Sequence, residues 1–171
     1  VVIFVNGYPN TLGAFNTIFS SGSRTENSDI VITKFTATGN AQIFSTYLGG
    51  NSNEVLSSML ITPANELIVL CVTSSTNFTT TPGCFDISWN GGAGTSAIKS
   101  SITLPNVTDI AIVKLNVGGT GLIGSTYFGG SKNDGLSNGP NVMFNYGDDT
   151  RADIAIDAAG NIYIASCTVS D

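Results

Sequence analysis

Between residues 131 and 152 the chain collects Asn133, Asp134, Asn138, Asn141, Asn145, Asp148 and Asp149, together with Phe144 and Tyr146. Carboxylate and amide oxygens are hard ligands, and calcium takes six to eight of them. Asn138-Gly139 and Gly147-Asp148-Asp149 could present such a set, which makes calcium the one cofactor to consider, and Asn141, Asp148 and Asp149 are candidate binding residues. The spacing D-x-[DN]-x-[DN]-G of a helix-flanked calcium loop is absent, and Asp/Asn/Gly clusters are above all turn formers. A solvated loop therefore stands beside ion binding, and no metal ligand is assigned. Phe144 and Tyr146 in this stretch, and Trp89 in another, are aromatics of the kind that anchor a protein or glycan contact. Core packing is their plain alternative.

Catalysis has little to draw on. The chain has no histidine, so no Ser-His-Asp or Cys-His pair can form within it. A carboxylate pair could in principle hydrolyse a glycoside. However, Glu26, Glu54 and Glu66 are scattered, and Asp29 and Asp109 read as strand-start residues. We expect no enzyme. Six basic residues against twelve acidic ones give a net charge of −6. Nucleic-acid binding needs clustered Lys and Arg to displace counterions, and that class is excluded.

Three cysteines remain. Cys71 and Cys167 each follow a turn asparagine (Asn65, Asn161) by six residues. Cys84 lies in the segment TPGCF, where an earlier TLGAF has Ala14. The earlier segment lacks a cysteine at either place and the later one has both. This co-occurrence suggests a Cys71–Cys84 disulfide, worth roughly 3 kcal/mol in the chain-entropy view, and an oxidising compartment. Small buried thiols are the alternative.

These residues must be positioned by a repeat. Residues 29–50 (DIVITKFTATGNAQIFSTYLGG) and 109–130 (DIAIVKLNVGGTGLIGSTYFGG) share eleven of 22 aligned positions, and a repeat of this length indicates an array. Residues 29–35 alternate with the period of a strand and are largely β-branched. A Gly-bearing turn and a second strand over 43–48 complete a hairpin, and 109–115 with 122–128 repeat it. Residues 57–61 and 66–72 read as another hairpin, matched later by 153–157 and 162–166. Four short antiparallel strands per unit suit a β-propeller blade.

The pattern D-x-x-[IV]-x-K-[LF]…[ST]-T-Y-[LF]-G-G, then D-x-x-G-N-x-Y-[IV], then F-x-T-T-x-G-x-F resembles the SBBP repeat. It is carried by residues 29–50, 109–130, 157–164 and 78–85 (FTTTPGCF), with a degraded copy at 11–15. The resemblance implies an all-β fold of seven-bladed propeller type, typical of bacterial secreted and surface proteins. It brings no catalytic residues. The first full copy departs from the pattern in lacking D-x-x-G-N, and the linkers are unusually long.

The expected organisation follows. Residues 1–28 hold the last strand of a preceding blade and a connection. Residues 29–108 form a first full repeat with a long connection, and 109–171 a second, with an insertion over 131–152, truncated at its end. With 42% apolar and 11% charged residues, the composition is sheet-rich, and no apolar run approaches the length of a membrane helix. The expected role is a non-catalytic extracellular module of the bacterial cell surface. Its partner would be a protein or a surface polysaccharide, with further blades or a partner covering the sheet edges. The alternatives are part of a carbohydrate-active enzyme whose active residues lie elsewhere, or an accessory subunit of a surface or secretion complex.

Overall fold

The structure, a computed structural model, describes residues 2–3, 7–20, 28–91, 96–98, 102–104, 107–136, 150 and 152–170. Asn141, Phe144, Tyr146, Asp148 and Asp149 lie outside the described residues. The fold is all-β, with antiparallel sheets. No helix among the described residues is long and apolar enough to cross a membrane.

Strands β1 (Val2–Ile3), β2 (Asp29–Phe35) and β3 (Gln42–Leu48) form the first sheet. Strands β4 (Glu54–Ile61), β5 (Leu67–Thr73), β8 (Asp109–Leu115) and β9 (Leu122–Phe128) form the second, in that order. Strands β10 (Asp153–Ile156) and β11 (Ile162–Ala165) make a third. A small hairpin of β6 (Ser96–Ile98) and β7 (Ile102–Leu104) lies within the long connection between β5 and β8. Nothing in the sequence pattern pointed to it.

The two repeated hairpins match in detail. Both carry a bulge after the lysine, at Lys34/Phe35 and at Lys114/Leu115. Both turn through a left-handed glycine, Gly39 (φ 72°) and Gly119 (φ 66°), a conformation that excludes most side chains. A Cβ on Gly119 would also run into the Phe44 ring, so the second hairpin's turn is seated on the first sheet.

The hydrogen-bonded sheet is not the sequence unit. The repeat that begins at Asp29 sends β2 and β3 into the first sheet, but β4 and β5 into the second. There β5 pairs along its whole length with β8, from Leu67↔Leu115 to Thr73↔Asp109. The reason is burial. In β5, Val69 and Cys71 face Ile30, Ile32 and Leu48 of the first sheet, whereas Ile68 and Leu70 face Ile154 of the third. A strand covered on both faces reads as an unbroken apolar run, LIVLCV, and needs a central place in its sheet.

The disulfide expectation is corrected. Cys71 and Cys84 are free thiols. Cys71 is on β5, and Cys84 belongs to the segment that lines the outer edge of β9, where Thr81 N donates to Ser125 O (3.0 Å) and Tyr127 N to Asp86 O (3.1 Å). β8 and β9 intervene, so the two residues are about three strand spacings, on the order of 14 Å, apart. A disulfide needs Cα atoms within about 7 Å. Cys71 Sγ instead donates to Ala111 O at 3.6 Å, and burial raises its pKa. Nor do Cys71 and Cys167 share a position: Gly135 N bonds to Cys167 O, which gives Cys167 the place that Val72 takes opposite Val55.

Candidate functional site

The repeated motif Ser-Thr-Tyr-x-Gly-Gly ends each hairpin, and its residues have separable tasks. Thr46 Oγ1 accepts from Asn16 N (2.9 Å) and donates to Asn16 O (3.0 Å); Thr126 Oγ1 treats Asp86 in the same way, at 2.8 and 3.1 Å. The threonine thus fastens the following connection to the outer edge of the hairpin. The tyrosine hydroxyl reaches further. Tyr47 Oη accepts from Tyr8 N at 3.1 Å, whereas Tyr127 Oη accepts from Phe78 N at 2.7 Å and donates to Ser75 O at 2.8 Å. Burial raises the Tyr127 pKa, so the phenol stays protonated and keeps its donor.

The two glycines make room for carboxylates. A Cβ built on Gly49 would lie 2.5 Å from Asp29 Oδ1 and 2.6 Å from Glu54 Oε2; on Gly129 it would lie 2.6 Å from Asp109 Oδ1 and 2.9 Å from Asp134 Oδ2. Each repeat therefore holds a buried pair of acids behind a bare backbone: Asp29 with Glu54, and Asp109 with Asp134.

The surrounding bonds are the same in both. Asp29 Oδ2 accepts from Ser20 N (2.8 Å) and Asp109 Oδ2 from Asn90 N (2.7 Å). Gly50 N donates to Glu54 Oε2 (3.1 Å), and Gly130 N to Asp134 Oδ2 (2.7 Å). Ser28 and Thr108 bind Asn53 and Asn133 through both backbone and hydroxyl. The acid after Gly-Gly is thus tied to the end of the hairpin before it, and the aspartate that opens that hairpin to the connection ahead of it.

The two pairs differ by one methylene. Glu54 accepts from Thr73 Oγ1 (2.7 Å) as well as Gly50 N. Desolvation still outweighs these bonds and lifts its pKa from 4.5 to about 8, with Asp29 adding to the rise. Burial thus favours the protonated form of Glu54. Asp134 is shorter and accepts from Gly130 N and from Ser170 Oγ (2.9 Å); beside it, Asp109 Oδ1 is buried with no hydrogen-bond partner among the described residues. Burial, with Asp134 and Asp86 adding to it, raises Asp109 from 3.8 to about 6.

Trp89 sits half-buried against the core cluster that holds Phe78 and Tyr127. Its Nε1 donates to Val107 O at 3.2 Å, and its ring covers Gly91. Trp89 and the acid pairs are not brought into one site; Trp89 reaches Asp109 only through its neighbour Asn90. Among the described residues no group of three or more His, Cys, Asp or Glu could hold a metal ion. The acid pairs had a signal in the sequence. GGNSNE at 49–54 and GGSKND at 129–134 continue the repeat past Gly-Gly, with Asn and an acid at matching places.

The exposed apolar side chains lie elsewhere. Ile43 and Ile123, at matching places on the two hairpins, are each 49% exposed, and Leu12, Phe85 and Phe128 are also exposed. The Phe85 and Phe128 rings stand 6.0 Å apart. Beside them a cleft of about 320 Å³ is lined by Thr81, Pro82, Cys84, Phe85, Lys114 and Ile123, among others.

No protein-family model matches the chain, and no curated protein or solved structure does so either.

Proposed function

We propose that the chain is a non-catalytic binding module built of propeller-type blades, working at a bacterial surface on a protein partner or a surface glycan. The observation that carries this reading is a division of labour. The acid pairs are buried and bonded to nearby backbone, whereas Phe85, Ile87, Ile123 and Phe128 leave an aromatic and aliphatic patch in solvent on β9 and the connection along its outer edge. The meander β4-β5-β8-β9 supports the blade reading, because four antiparallel strands in chain order are what a blade contains. The bacterial, extracellular setting rests on the likeness of the repeat to SBBP sequences, since the free cysteines lend it nothing.

The test is binding of the labelled chain to a glycan array and to isolated cell envelopes, compared with a Phe85→Ser/Phe128→Ser variant. Loss of about tenfold in affinity, a change of about 1.4 kcal/mol, is expected in the variant. Unchanged binding would move the contact away from this edge. Turnover of a glycoside that disappears with Asp109→Asn would replace the binding role with an enzymatic one.

A further inference from the structure

We draw no further inference here: the strongest candidate, the cleft of about 320 Å³ beside β9 lined by Phe85, Ile123 and Lys114, belongs to the surface already proposed for binding, and nothing in the structure shows what covers it.

Discussion

The acid pair at Gly49-Gly50 and the pair at Gly129-Gly130 occupy the same place in the same scaffold, yet only the first is sealed. Glu54 reaches Thr73 on a strand that β8 covers, and both of its oxygens find donors. Asp134 stops one methylene short. Its partner strand continues into exposed Thr168, and among the described residues Asp109 Oδ1 has no hydrogen-bond partner. The repeat fixes which atoms meet, and the residue after Asn53 or Asn133 decides how the donors are shared, across both oxygens of Glu54 but on Oδ2 of Asp134. A buried polar group without its partner costs about 1–3 kcal/mol, so the second pair should be the weaker lock.

The sharpest way to break this contrast is to fill the space that both pairs need. Gly49→Ala should lower stability by about 3 kcal/mol in urea unfolding, because both acids would have to move. Gly129→Ala should cost less, since the acids behind it are less tightly bonded. Equal costs would mean that the two locks are equivalent.

Removing the acids comes next. Glu54→Ala should cost about 2–3 kcal/mol by loss of buried hydrogen bonds, and Asp134→Ala roughly half of that. Asp109→Asn supplies a donor to the orphaned corner and should be neutral or stabilising.

Acidity sharpens the contrast further. Glu54, at about 8, and Asp109, at about 6, both have folded pKa values above their ordinary ones. The folded state then binds more protons than the unfolded state, and stability falls as pH rises through those values. The contribution is fully present below pH 4 and is lost from Asp109 first and from Glu54 by about pH 8. Melting temperature should therefore drop between pH 5 and pH 8.5, and Glu54→Gln should remove most of the upper part of that drop.

The smallest effect concerns the turns after β4 and β10. Asn65 (φ 61°) and Gly160 (φ 86°) hold the same left-handed place. Asn65→Ala and Gly160→Ala should each cost about 1 kcal/mol, and Asn65→Gly should be close to neutral. Thermal unfolding reads all three.

The strands were legible because their signal is local. Residues 29–35, 109–115 and 122–128 alternate and are rich in β-branched and aromatic side chains, and those hairpins carry the bounds read from the sequence. The choice of partner was not legible. β5 and β8 are joined across a connection of more than thirty residues, and only the burial of β5 on both faces selects that pairing. The same gap explains the cysteines: Cys71 and Cys84 are close in sequence, but β8 and β9 are inserted between them. The acid pairs escaped notice because the halves of each lie 25 residues apart, and the link is the Gly-Gly that looks like an ordinary turn.

Because the second sheet takes β4–β5 from one repeat and β8–β9 from the next, the seam between these two repeats does not fall at a seam between sheets. A gene duplication or deletion of one whole repeat would leave every remaining half-sheet facing a partner of the right kind. The array can change its length in evolution without passing through a mismatched join. Mechanically, a pull on one repeat is shared at once by two sheets, so the units should yield together rather than peel away one at a time.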